Sequence, residues 1–178
     1  MAHSLAEQYA AALVEVARAE NALERVSDEL FRFARALEEH TELRDRLTDP
    51  NMDVSDKIGI TSELLADRAH PQTVAALLYV IQAGRARLLV EIADQVVERA
   101  AVIRGRAVAE VRVAAPLDDE RRRRLAMAIE HATGKKIDMK VIVDPDLMGG
   151  VSVRVGDTVI DGSVARRLDE LKARLVGS

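Results

Sequence analysis

At about Gly105 the spacing of apolar residues changes from steps of three and four to strict alternation, and no single regular element accommodates both rhythms. The first stretch must therefore be helical and the second must contain strands. With 178 residues, the chain has room for two small units, each with a core of its own. Charge divides at the same place. Residues 1–105 hold 12 Lys+Arg against 18 Asp+Glu, and residues 106–178 hold 14 against 12, so an acidic half is followed by a weakly basic one. The expectation is an α+β protein: an all-α six-helix bundle over 1–105, then a small α+β domain with a β-hairpin over 106–178.

Within the helical half, Leu5, Tyr9, Leu13, Val16 and Ala17 form an apolar stripe, with Ala6, Ala10, Ala12 and Ala17 as a small-residue face beside it. Ser4 and Glu7 have the spacing of a capping box. Leu23, Val26, Leu30, Phe33 and Leu37 mark a second helix, and Thr41 begins a short third one that stops before Asp49-Pro50. Ser55 is the expected cap of a fourth helix carrying Ile58, Thr61, Leu64 and Leu65. Pro71 suits the first turn of a fifth, where its missing amide hydrogen costs nothing. That helix, with Leu77-Leu78-Tyr79-Val80-Ile81, is apolar nearly all round, so it is central or it receives a partner. After Gly84, a sixth helix carries Leu88, Ile92, Val96, Ala100 and Ile103.

Beyond Gly105, Ala109, Val111, Val113 and Ala115 alternate with other residues as in a half-buried strand ending at Pro116. Asp118-Asp119-Glu120 place negative charge at the start of a helix whose inward residues read as Leu125, Ala128, Ile129 and Ala132. A second strand carries Ile137, Met139, Val141 and Val143. Gly156-Asp157 between two β-branched runs predicts a hairpin, and a last helix would pack Leu168, Leu171 and Leu175.

Several chemistries are excluded by composition and spacing. There is no cysteine, hence no disulfide, thiolate metal site or thiol nucleophile. Two tyrosines, two phenylalanines and no tryptophan are too few for a base-stacking surface. His3, His40, His70 and His131 are scattered without metal-ligand spacing. Gly134-Lys135 resembles the end of a phosphate loop, but Ile129 stands where the first glycine is required and Lys136 where Ser or Thr is. Asp144-Pro145-Asp146 reads as a turn rather than a calcium loop, because Met148 occupies a ligand position and no glutamate closes it. Arg121 to Arg124 wrap their helix instead of forming one stripe, with Arg121 snorkelling past Leu125. No serine is placed beside a histidine as a nucleophile would need. These readings predict no enzyme activity, no cofactor, no metal and no nucleic-acid partner. No apolar run is long enough to cross a membrane, and Met1-Ala2-His3-Ser4 lacks the features of a secretory leader.

The stretch from Asp144 onward, with Gly149-Gly150, a valine-rich strand, Gly156-Asp157 and Ile160-Asp161-Gly162-Ser163 before an Arg/Leu-containing segment, resembles the signature of the F-type ATP synthase delta subunit family, whose mitochondrial counterpart is the oligomycin-sensitivity-conferring protein. Tyr9-Ala10-Ala11-Ala12-Leu13 is similar to that family's opening helix, and Gly84-Arg85-Ala86-Arg87-Leu88 to the turn before its last bundle helix, although Gly84 stands where a polar residue is common. The resemblance implies a non-catalytic stator subunit that couples proton-driven rotation to ATP synthesis. Residues 1–105 would hold N-terminal helices of the alpha subunits, and residues 106–178 would join subunit b of the peripheral stalk. It further implies a hetero-oligomeric complex, with this chain peripheral on the cytoplasmic face of a bacterial plasma membrane and not inserted in it. The expected contacts are Tyr9, Ala10, Ala12, Leu13, Leu78 and Tyr79 towards an alpha helix, and Gly150, Val151, Val153, Arg166 and Arg167 towards the stalk. The rival expectation is a free-standing helical adaptor for amphipathic peptides, which would need only the first half.

Overall fold

Local capping decides where each helix begins and ends. In the computed structural model, which describes residues 4–147, 150–156 and 158–160, the Ser4 hydroxyl accepts the Glu7 amide at 3.1 Å while the Glu7 carboxylate accepts the Ser4 amide, completing a capping box for α1 (Leu5–Ala19). It is followed by α2 (Leu23–Glu39), α3 (Thr41–Thr48), α4 (Val54–Leu65), α5 (Pro71–Gln82), a 3₁₀ turn at Ala86–Leu88 and α6 (Leu89–Ile103). Three of these helices stop the same way. Asn21, Gly84 and Gly105 adopt positive φ, and the next amide reaches back to Ala17, Val80 and Ala101 respectively. The cap of α4 differs from expectation: Asp53 is its N-cap and Ser55 lies inside the first turn, because the chain is already helical from Val54.

The chain divides into two compact units that part between Ala100 and Ala101, within the last turn of α6 and just before the change of rhythm at Gly105. In the first unit, one apolar core collects side chains from α1, α2, α3, α5 and α6, with Ile58, Ile60 and Leu65 of α4 packed on its side. The inward face of α1 is not the expected stripe. Ala6, Ala10, Leu13, Val14 and Ala17 are buried, whereas Leu5 and Val16 are exposed. Burying alanines allows the neighbouring helices to approach closely and turns the larger apolar groups outwards. Similarly, Leu64 of α4 and Ile103 of α6 are exposed rather than buried.

A buried carboxylate ties α2 to the start of α5. Glu29, only 7% exposed, accepts the His70 amide at 2.8 Å, the Thr73 hydroxyl at 2.6 Å and the Arg25 Nε at 2.9 Å. Burial by itself would raise its pKa, but the Thr73, Arg25 and His70 hydrogen bonds and the Arg25 charge together hold it below the ordinary carboxylate value. Pro71 occupies the first turn of α5, as its sequence position predicts, and His70 caps it by accepting the Gln72 amide.

The second unit is a mixed sheet. Strand β1 (Ala107–Val113) pairs in parallel with β2 (Ile137–Val143) and antiparallel with β3 (Val151–Val155), which pairs antiparallel with β4 (Thr158–Ile160), giving the order β2-β1-β3-β4. A parallel pair needs a crossover, which α7 (Asp119–Thr133) supplies, capped by Asp118 accepting the Arg121 amide at 2.7 Å. Ala109, Val111, Val113, Ile137, Val153 and Val155 form one face of the core with Ile129 of α7. The expected strand residue Ala115 lies beyond the strand, which ends at Val113. Of the expected inward residues of α7, Ala128 and Ala132 are exposed. Ala126 takes their place beside Leu125 and Ile129. Arg121 is exposed and pairs with Asp118. The expected hairpin strands pair antiparallel, with Val155 opposite Thr158, while Asp157 and the expected last helix lie outside the described residues.

The inverted face of α1 predicts unequal costs for two substitutions. Ala10→Leu should overpack the core and lower stability by about 1–3 kcal/mol, whereas Val16→Ser should change it by no more than about 0.5 kcal/mol. Chemical denaturation of both variants checks this. Equal losses would mean that α1 is turned the other way.

Candidate docking surfaces

Because α1 turns Ala6, Ala10 and Ala17 inwards, its outer face carries an apolar line at helical spacing: Leu5, Tyr9, Ala12 and Val16. Val16 is 52% exposed. Helix α5 lies beside α1, and the two are joined at the surface by their tyrosines. The Tyr9 and Tyr79 ring centroids are 5.8 Å apart with the rings tilted by 49°. Tyr79 is 57% exposed, Ala75 one turn earlier is exposed, and Leu78 is half-buried. The result is an apolar strip across two helices, with the exposed carboxylates Glu15 and Glu20 near its Val16 end.

The residues expected to contact an alpha helix therefore fall into two groups. Tyr9, Ala12, Leu78 and Tyr79 have exposed or half-buried side chains. Ala10, fully buried, and Leu13 sit in the core and can support such a strip but not touch a partner. Leu5, Val16 and Ala75 belong to the strip and were not anticipated. The signal was present as a second line of spacing, 5-9-12-16, hidden by the assumption that the larger apolar residues point inwards.

In the sheet unit, Gly150 has φ of +94°, and a Cβ built there would meet nothing within 4 Å, so the constraint on this residue is conformational rather than steric. Val151 is half-buried opposite Val113. Val153 is 3% exposed, between Val111 and β4, and so serves the core instead of a surface. Among the described side chains of the hairpin, Val159 is apolar and exposed. Arg166 and Arg167 lie outside the described residues.

Several charged groups described in this unit are held by one another. Arg104 donates to Asp138, Lys140 stands 3.5 Å from the same carboxylate, and Arg112 donates to Glu110. Beside the Gly134-Lys135 turn, Lys136 donates to Glu130 at 3.0 Å, and Glu130 also accepts the Ile137 amide. Those bonds, Lys136 first, hold the Glu130 carboxyl below its ordinary value. Asp144 accepts the Asp146 amide in its own turn and lies 3.9 Å from Arg112. Among the described residues, no group of acidic or histidine side chains could hold a metal ion, and no helix is long and apolar enough to cross a membrane.

Residues 5–175 match the family model for the ATP synthase delta (OSCP) subunit. The chain is 43% identical over 176 residues to ATP synthase subunit delta of Frankia alni, covering 97% of this chain and 62% of that protein. It is 42% identical over 164 residues to the subunit delta of Acidothermus cellulolyticus, covering 92% and 60%. It thus spans about three-fifths of the length of these relatives. A chain in the cryo-EM structure of the Toxoplasma gondii mitochondrial ATP synthase hexamer has the same fold, with a TM-score of 0.58 at 23% identity over 98% of each chain. The α+β architecture, the signature glycines and these matches together show that the chain belongs to the ATP synthase delta (OSCP) subunit family.

Proposed function

We propose that this chain is a two-ended stator connector, without catalysis of its own, whose six-helix bundle grips an N-terminal helix of an alpha subunit while its sheet unit joins subunit b of the peripheral stalk. The observation that carries the first half is the Leu5–Tyr9–Ala12–Val16 line beside Tyr79 and Ala75. An amphipathic helix laid on such a strip removes apolar surface from water on both partners. The acidic balance of residues 1–105 favours an occupant with basic residues flanking its apolar stripe. A stator must resist detachment under torque, and affinities between micromolar and nanomolar correspond to about −8 to −12 kcal/mol.

For the second half, the support is the resemblance of the segment around Gly150 to the family signature, together with the exposed Val159 on β4, an edge strand of the described sheet. Such a connector works at the cytoplasmic face of the plasma membrane, as a peripheral part of the proton-translocating complex. The adaptor alternative would leave the sheet unit without a partner.

Titrating a synthetic peptide of the alpha subunit N-terminus into the full chain should release or absorb heat with a micromolar or tighter Kd. Tyr79→Ala or Val16→Glu should weaken binding at least about tenfold, or about 1.4 kcal/mol. No binding by the unaltered chain would remove the alpha-helix reading. Gly150→Asp should retain peptide binding but fail to co-purify with subunit b, since an L side chain is strained at that φ. Normal co-purification would argue against the stalk assignment.

A further inference from the structure

We infer that Glu29 is a positioning residue for the docking strip: its carboxylate latches the first turn of α5 to α2 and thereby sets where Tyr79 stands against Tyr9. The inference rests on the docking reading above. Glu29 is itself buried and is no part of the strip. Its Oε2 receives both the His70 amide, at the N-cap of α5, and the Thr73 hydroxyl, in the first turn, while Oε1 receives Arg25 from its own helix. A negative charge is thus held at a helix N-terminus, where the dipole and the free amides favour it, but it is supplied by a different helix. The charged neighbours along the same cleft are Glu24, Asp28, Arg32 and Arg68.

The lever is short. Tyr79 lies six residues beyond Thr73, about 9 Å along a helix that rises 1.5 Å per residue. The Tyr79 ring is 57% exposed and meets Tyr9 on one side, so the course of α5 decides how the two rings stand. The chain enters α5 from an exposed turn with Asp67 at positive φ, which by itself offers little guidance. Replacing Glu29 by glutamine would keep an oxygen for one donor but turn an amide towards another, and α5 would lose its fixed start.

The molecule carries its own reporter. Tyr9 and Tyr79 are the only tyrosines and there is no tryptophan, so the near-UV tyrosine band arises from the strip alone. The test compares the full-length wild type, Glu29→Gln, Thr73→Val and, as a control of core stability remote from the latch, Val111→Ala. The probe is the alpha-subunit N-terminal peptide with any tyrosine or tryptophan replaced by leucine. Glu29→Gln should retain its far-UV helix signal, alter the tyrosine circular dichroism and raise the peptide Kd about tenfold, the scale of a lost charged hydrogen bond. Thr73→Val should shift both readouts in the same direction by less. Val111→Ala should lower thermal stability and leave both unchanged.

A folded Glu29→Gln variant with the wild-type tyrosine signal and Kd would overturn the inference. If that variant does not fold, Thr73→Val decides, and wild-type values for it would overturn the inference equally. If the wild type itself fails to bind the peptide, the docking reading falls. The tyrosine signal still decides the latch: altered in the variants, it stands; unaltered, it does not.

Discussion

A helix on the surface of a small domain can bury only part of its circumference, and the choice of side governs everything built around it. In α1 the buried side is Ala6, Ala10, Val14 and Ala17 with Leu13, so α1 sits close against its neighbours. Leu5, Tyr9 and Val16 are then left facing outwards or half-covered. Exposing large apolar groups next to a buried alanine face is unfavourable for an isolated domain and becomes favourable once a partner covers them. The apolar strip proposed for docking is thus a consequence of how the core is packed, and α5 beside it is secured by the Glu29 carboxylate as well as by apolar contact.

The sheet unit follows a different logic. Its central strand β1 is paired on both sides, parallel and antiparallel, and its inward valines meet α7. Its opposite face carries charged groups paired along each strand, Arg112 with Glu110 on β1 and Lys140 with Asp138 on β2. Acidic and basic side chains spent on mutual pairs are poor candidates for binding a phosphate or activating water.

Much of this architecture can be read from the chain because its signals are local. Ser4 with Glu7, Pro71, Gly84 and Asp118 each mark a helix boundary through bonds made within a few residues. Alternation in β1 and β3 and the Gly156-Asp157 turn mark strands in the same way. Less accessible was which side of α1 and α7 faces inwards. Alanine is compatible with either side, so Ala128 and Ala132 could stand for Ala126, and Leu5 and Val16 could pass for core. The Glu29 latch was hidden for another reason. Its donors lie 41 and 44 residues away, and a glutamate in an amphipathic helix normally marks the wet side. Likewise, Ala10, Leu13 and Val153 match a family pattern and an apolar rhythm, but only packing shows that they support surfaces without forming them.

The absence of cysteine from the chain permits a direct examination of the connector itself. Single cysteines placed at Ala12, at Val159 and at Ala11 on the other side of α1 can be coupled to a short photo-crosslinker in the assembled ATP synthase. The account predicts that the first traps an alpha subunit N-terminus, the second traps subunit b, and the third traps neither efficiently. Equal capture from Ala11 and Ala12, or one and the same partner at both ends, would contradict a connector with two distinct grips.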